Sequence, residues 1–148
     1  MAAIKRILVP TDFSKAATDA LDYAKTLAEA MKGSLHVLHV LDEVMPVMIG
    51  QYMPSENYWK PVEKSAREAI SRVLSEADRE KFHATFWVSR GFPPDQIVKY
   101  ADEHAIDLIV MGTHGRSPIT RLLLGSVADR VIRKARCPVL TVHPREEK

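Results

Sequence analysis

Five short apolar runs alternate with four amphipathic segments along the 148-residue chain, and this alternation limits the fold more than any other feature. The runs are rich in Val, Ile and Leu and have the length of strands, whereas the segments between them repeat apolar residues at helical spacing. The predicted strands are residues 4–9, 35–41, 82–88, 107–111 and 139–142. The order is therefore β-α-β-α-β-α-β-α-β.

This order predicts the fold class. The first run, Ile7-Leu8-Val9, is consecutive and is closed by Pro10, which is typical of a strand buried on both faces. Helices of crossover length between such strands favour parallel pairing, because right-handed crossovers leave few other arrangements. We expect an α/β fold with a doubly wound, five-stranded, mostly parallel sheet and helices on both faces. A chain of this length predicts a single domain over residues 1–148.

Composition excludes several classes of function. Lys plus Arg number 21 and Asp plus Glu number 19, so the net charge of +2 argues against obligate binding to nucleic acid or to anionic membranes. Cys137 is the only cysteine, which excludes an internal disulfide and suits a reducing compartment. No apolar run approaches the roughly 20 residues that span a bilayer, and the first residues do not resemble a signal segment. We expect a cytoplasmic protein with no nucleic-acid partner and no membrane association.

The most informative segment, residues 111–127, follows the fourth predicted strand. In doubly wound sheets ligands bind beyond the carboxyl ends of strands, which singles out residues 10–14, residues 40–43 and the chain from Gly112 onward. Gly112 and Gly115 allow backbone amides to turn towards an anion without a side chain in the way. Ser126 is predicted as the N-cap of a helix whose positive end would face the same anion.

Two better-known phosphate motifs are absent from this segment. It matches neither G-x-x-x-x-G-K-[ST] nor G-x-G-x-x-G, which argues against a P-loop NTPase and against a dinucleotide-binding enzyme. Spacing alone leaves open a glycine turn, a loop and a capped helix that bind nothing.

The segment resembles the signature of the universal stress proteins, which is G-x-x-G, nine residues, then G-[ST]. Gly112, Gly115, Gly125 and Ser126 fill every position of it. The resemblance extends to Val-Pro-Thr-Asp-Phe-Ser at residues 9–14, to His-Val at 39–40 and to Cys-Pro-Val-Leu at 137–140. It implies an adenine nucleotide alpha hydrolase-like fold. Members with the complete signature typically bind ATP or related adenine nucleotides.

The resemblance also implies a set of binding residues. The adenosine end would be formed by Pro10, Thr11, Asp12 and Val40, with Met111 packed nearby. The phosphate end would be formed by Gly112, Gly115, Arg116, Ser117, Gly125, Ser126 and Val127. ATP or AMP is the implied ligand, and an accompanying Mg²⁺ would be held through phosphate oxygens rather than by protein ligands.

The histidines do not predict a catalytic or metal site. His36 and His39 lie three apart on a predicted strand, so they point to opposite faces of the sheet. His114 lies inside the glycine segment and either is a solvated polar group or approaches a phosphate as an acid. We assign no catalytic residue and no metal-ligating residue.

Three alternative functions are compatible with these sequence features. The leading interpretation is an adenine-nucleotide-binding stress-response or regulatory module that acts as a nucleotide-dependent switch. The alternative is a slow ATP hydrolase that aligns water with Arg116 or His114, and the third is a dimeric scaffold that binds no nucleotide.

Two further expectations concern surfaces. The last strand, Val139–Val142, is predicted at a sheet edge, where a homodimer forms by strand pairing, and family resemblance points the same way. Residues 42–60 contain three prolines or glycines and no clean period, so we expect a long loop. Its apolar residues 45–59 form either a flap or partner surface, or a cover for the sheet.

Overall fold

The fold is a five-stranded, all-parallel sheet with helices on both faces, as predicted. The computed structural model describes residues 3–48, 50, 54–114 and 124–144. The strands are β1 (Arg6–Pro10), β2 (Ser34–Asp42), β3 (Thr85–Gly91), β4 (Leu108–Gly112) and β5 (Val139–Val142). The helices are α1 (Lys15–Met31), α2 (Val44–Met48), α3 (Glu56–Ile70), α4 (Glu76–Lys81), α5 (Pro93–Glu103) and α6 (Ser126–Lys134).

The strand order β3-β2-β1-β4-β5 places the reversal of winding between β1 and β4. From β1 the chain moves outward to β2 and β3, then returns through α5 to the other side of β1 and continues outward to β5. The crossovers therefore leave a crevice above the carboxyl ends of β1 and β4, which is where this class of sheet binds ligands.

Two apolar layers hold the helices against the sheet. Ile7, Leu8 and Val9 of β1 are each 0% exposed, so this strand is buried on both faces as its sequence predicts. One layer packs β-strand residues against α1 and the end of α3. The other packs the opposite face against α5 and α6. None of the helices in the described part of the chain has the length and hydropathy that a bilayer crossing requires.

The prediction of a long loop over residues 42–60 was wrong for residues 44–48 and 56–60, while residues 49 and 51–53 lie outside the described residues. The structure forms α2 over Val44–Met48, and α3 begins at Glu56. Prolines weakened the helical pattern in the sequence of both helices. One proline lies inside α2, and Pro61 lies inside α3, where the pattern suggested a helix start at residue 62. Trp59, which belonged to the predicted loop, is 5% exposed on α3.

The third predicted strand is also displaced along the chain. β3 covers Thr85–Gly91 rather than residues 82–88, because Phe82 is buried in the core and His83 takes a left-handed backbone conformation (φ 45°). The helical stripe expected to continue to residue 77 ends at Ile70, and Ser75 then caps the separate helix α4 by accepting the Asp78 amide at 3.1 Å.

His36 and His39 lie on opposite faces of the sheet, as predicted. His39 Nδ1 donates to the Thr11 carbonyl oxygen at 2.7 Å, whereas His36 Nδ1 lies 2.7 Å from the Tyr100 hydroxyl on the α5 side. Burial, His104 and Arg6 together lower the pKa of His36 below its ordinary value of 6.5. Burial also raises the pKa of Tyr100 to about 12, so its hydroxyl stays protonated.

This arrangement predicts a stability that falls in weak acid. Because the folded pKa of His36 lies below its unfolded pKa, the unfolded chain binds the proton more tightly as pH falls through 6.5. The free energy of unfolding should therefore decrease between about pH 7.5 and about pH 5.5 in urea titrations, and His36→Gln should make this decrease smaller.

His143→Gln is the matched control, since it removes an exposed imidazole and leaves the contact between His36 and Tyr100 in place. Equal pH dependence in wild type and His36→Gln would show that His36 does not contribute to it.

Candidate functional site

A cleft of about 320 Å³ opens at the carboxyl ends of β1, β2 and β4. Its volume lies at the lower end of the roughly 300–1,000 Å³ typical of small-molecule sites. The described residues that line it are Pro10, Thr11, Asp12, Ser14, Ala17, Leu38, Val40, Asp42, Pro93, Ile97, Met111, Gly112, Thr113, His114, Gly125, Ser126, Val127 and Ala128.

The turn after β1 is held by local hydrogen bonds. The Thr11 amide donates to the Leu38 carbonyl oxygen at 2.8 Å, which extends the ladder between β1 and β2 by one residue. Asp12 Oδ1 accepts the Ser14 amide at 2.9 Å, and Ser14 Oγ accepts the Ala17 amide at 3.2 Å to cap α1. Phe13 between them has a left-handed φ of 65°. Asp12 is thereby fixed at the wall of the cleft.

Gly112 brings the end of β4 against the first turn of α1. A Cβ atom at this position would lie 3.0 Å from the Ala16 Cβ and 3.2 Å from the Ala16 carbonyl oxygen. These distances are tighter than ordinary van der Waals contact, so only glycine fits without a shift of backbone. The glycine expected to expose amides to an anion therefore also sets the spacing between a strand and a helix.

Helix α6 points its N-terminus into the cleft. Gly125, not Ser126, is the N-cap: its backbone is extended (φ −61°, ψ 155°), and its carbonyl oxygen accepts the Asp129 amide at 3.0 Å. The predicted Ser126 cap was wrong by one residue because a glycine cap uses no side chain and so leaves no polar signal. The first amides of α6 belong to Ser126, Val127 and Ala128, which all line the cleft.

The end of β4 and the start of α6 are tied together. The Gly125 amide donates to the Thr113 carbonyl oxygen at 2.6 Å, and the Thr113 amide donates to the Val142 carbonyl oxygen at 3.0 Å. The His114 Nδ1 lies 3.1 Å from the Thr113 hydroxyl. The His114 Nε2 is buried and has no hydrogen-bond partner among the described residues.

Strand β2 extends beyond the end of β1. The last register pair is Pro10 with Leu38, whereas β2 continues to Asp42. We call residues 39–42 the overhang. Alternate residues of a strand direct their amide and carbonyl groups to the same side. Because the Leu38 carbonyl faces β1, the backbone groups of Val40 face the same side, above the end of β1 and beside the cleft.

Most of the predicted binding residues meet in this cleft. The structure places nine of them in its lining: Pro10, Thr11, Asp12, Val40, Met111, Gly112, Gly125, Ser126 and Val127. The other three, Gly115, Arg116 and Ser117, lie outside the described residues.

The sequence did not predict the side of the cleft that α5 forms. Pro93 and Ile97 line the cleft opposite the strands, and nothing in their local sequence distinguishes them from ordinary helix-start and core residues. Leu38 was missed for the same reason. Asp42 lies within residues 40–43, so its place at the carboxyl end of a strand was a usable signal.

The described ranges, 3–48, 50, 54–114 and 124–144, contain no group of three or more His, Cys, Asp or Glu arranged to hold a metal ion. Cys137 lies outside the cleft lining, and burial raises the pKa of its thiol.

The family model described as the universal stress protein family matches residues 3–143. The chain therefore belongs to the universal stress protein family.

Individual relatives agree with this assignment. The chain is 32% identical to universal stress protein MJ0577 of Methanocaldococcus jannaschii, over 93% of this chain and 94% of that protein. The solved structure of MJ0577 superposes with a TM-score of 0.77 and 30% identity, covering 99% of this chain and all of that one.

Two other solved relatives contain nucleotides. A universal stress protein in complex with cAMP has a TM-score of 0.65 and 28% identity, covering 97% of this chain and 100% of that chain. A universal stress protein from Archaeoglobus fulgidus in complex with dAMP has a TM-score of 0.61 and 28% identity, covering 95% of this chain and 98% of that chain.

Proposed function

We propose that this protein binds ATP or AMP in the cleft and acts as a nucleotide-dependent regulatory module in a stress response. The observation that supports this most directly is that the helix N-terminus of α6 and the overhang of β2 face one cleft. Parallel strands are spaced by roughly 4.8 Å, so β2 and β4, on either side of β1, lie about 10 Å apart. That separation suits a ligand with a base at one end and phosphate at the other.

The phosphate end would be built from backbone. The amides of Ser126, Val127 and Ala128 have no acceptor inside the helix, and the helix dipole adds roughly half a positive charge beside them. The Ser126 hydroxyl is positioned in the same lining and can donate a further hydrogen bond. An anionic phosphate satisfies all of these donors at once.

The base end would read adenine through the backbone of Val40. Adenine offers a donor and an acceptor side by side, which matches the carbonyl and amide of one strand residue. The side chains of Val40, Ile97 and Met111 supply apolar surface for the ring. Asp12 would face the sugar, and Mg²⁺ would be held through phosphate oxygens.

Nucleotide release and titration test the proposal. Freshly purified protein is denatured to identify any bound nucleotide, and emptied protein is titrated with ATP and AMP, with and without Mg²⁺. We expect binding of both, and Ser126→Ala should weaken ATP about tenfold, because one hydrogen bond to a charged group is lost. Alanine is tolerated at the first position of a helix, so α6 should remain folded.

Ser65, an exposed residue of α3 away from the cleft, gives the matched control: Ser65→Ala should bind ATP as tightly as wild type. Failure of the wild type to bind either nucleotide at millimolar concentration contradicts the proposal.

A slow ATP hydrolase is the second candidate, and His114 supports it. Its Nε2 is a buried ring nitrogen without a partner in the described structure, and the residue lines the phosphate end of the cleft. A nitrogen in this position could take a proton from water or hydrogen-bond a phosphate oxygen.

Turnover separates the two functions. Under the hydrolase alternative, ATPase activity stays at constant specific activity through successive purification steps and falls at least about 100-fold in His114→Ala. Under the regulatory proposal His114→Ala changes ATP affinity only, and any turnover in the preparation is unaffected by it.

We further propose that two copies pair through β5. This strand lies at one edge of the sheet, where Leu140 is 37% exposed, and Ile132 on the neighbouring helix α6 is 42% exposed. An exposed apolar edge strand is a template for pairing with another chain.

The wild type should then sediment at about twice the mass of one chain, and Leu140→Lys should shift it towards the monomer because a buried lysine opposes edge pairing. Trp87→Lys is the matched control, since Trp87 is 54% exposed on β3, the opposite edge. A monomer produced by Trp87→Lys and not by Leu140→Lys would assign the pairing to β3.

A further inference from the structure

The overhang of β2 depends on β3 for its position. Register pairs join Val40 to Ser89, Leu41 to Arg90 and Asp42 to Gly91, and the Glu43 amide donates to the Gly91 carbonyl oxygen at 3.1 Å. β1 ends before this point, and β3 is itself at the edge of the sheet. The last part of the β2–β3 ladder is thus not braced by a further strand of the described sheet on either side.

Arg90, near the end of β3, joins this ladder to α3. Its Nη2 donates a hydrogen bond to Glu56 Oε1 at 3.0 Å. Its Nε forms ion pairs with Glu43 Oε1 at 3.2 Å and with Glu63 Oε1 at 3.0 Å. Its guanidinium also lies 5.4 Å from the centre of the Trp59 ring. One side chain therefore connects the residue after the overhang with the first and second turns of α3.

The charges around Arg90 are unequal. Three carboxylates, from Glu43, Glu56 and Glu63, surround one guanidinium, so removal of that cation leaves three like charges close together. Like charges at this separation repel, and Glu43 is attached directly to Asp42 of the cleft lining. The hydrogen bond that Arg90 donates to Glu56, together with the negative charges of Glu56, Glu63 and Glu43, raises the pKa of Arg90, so the cation persists throughout the physiological pH range.

We propose that Arg90 is the positioning residue of the base-binding end: by neutralising Glu43, Glu56 and Glu63 it holds the overhang of β2 where the Val40 backbone meets the base. Arg90 itself does not line the cleft. This inference rests on the proposed nucleotide function, but its structural part, the immobilisation of the overhang, is independent of any ligand.

The first measurement compares ligands that contain the base with one that uses only the phosphate end of the cleft. Arg90→Met keeps an apolar stem against Trp59 and removes the charge. We expect it to weaken ATP, AMP and adenosine about tenfold each, while tripolyphosphate affinity changes less than about twofold. An unchanged ATP affinity, or an equal loss for ATP and tripolyphosphate, overturns the proposal, because the second result indicates general loosening.

Two variants control for the substitution itself. Arg79→Met makes the same change on α4, where the Arg79 guanidinium lies 5.1 Å from the ring of Phe86. Phe86 belongs to β3 but lies away from the overhang, so Arg79→Met should bind ATP as wild type does. Arg90→Lys keeps a positive charge among the three carboxylates and should retain most of the affinity for ATP, because the proposed mechanism needs the charge.

The decisive variant removes the repulsion together with the cation. Glu43→Gln, Glu56→Gln and Glu63→Gln combined with Arg90→Met should restore ATP affinity to within about twofold of wild type, because neutral amides no longer repel. Affinity that stays low in this combination contradicts neutralisation as the mechanism.

Hydrogen exchange tests the structural part without nucleotide. In Arg90→Met the amide of Glu43 should exchange about tenfold faster than in wild type, while amides in β1 and α1 keep their rates. If wild type binds no adenine nucleotide, the proposed function fails while this result still decides the role of Arg90. Unchanged exchange at Glu43 overturns that role.

Discussion

The close approach of Gly112 to Ala16 is the constraint on which the site depends. A helix can begin directly against the end of a neighbouring strand only if no side chain separates them, and a Cβ at Gly112 would lie 3.0 Å from the Ala16 Cβ. This contact holds α1 over β4 as well as over β1, the strand that precedes it. The turn that presents Asp12 and the segment that leads to α6 consequently open into the same crevice, where the winding of the sheet reverses.

Much of the fold could be predicted because its strands are buried on both faces. Ile7, Leu8 and Val9 form a run with no polar interruption. Such runs are typical of a parallel sheet that is covered on both faces. Between residues 42 and 60 the sequence did not predict the observed helices, because proline lowers the local helix signal whereas tertiary packing stabilises the helix. Trp59 illustrates this: its burial on α3 compensates for Pro61 nearby, and no sequence window contains that contact.

The cleft also contains some residues that the sequence could predict and others that it could not. Gly112, Gly125 and Asp12 lie at strand ends and helix starts, whose positions follow from the alternation of elements, so sequence could bring them together. Pro93 and Ile97 could not be found, because they reach the cleft from a helix that crosses above the sheet. The sequence could not predict the interactions of Arg90 either, because its three carboxylate partners lie 47, 34 and 27 positions away along the chain. Only the β2–β3 register and the position of α3 bring these carboxylates to one guanidinium.

The hydrogen bond from the Gly125 amide to the Thr113 carbonyl oxygen has a consequence for mutations at the phosphate end of the cleft. It joins the end of β4 directly to the N-cap of α6, and both of its groups belong to the backbone. A change of side chain at position 113 can therefore leave this hydrogen bond in place, whereas proline at position 125 removes the donor and frees the start of α6 from the sheet.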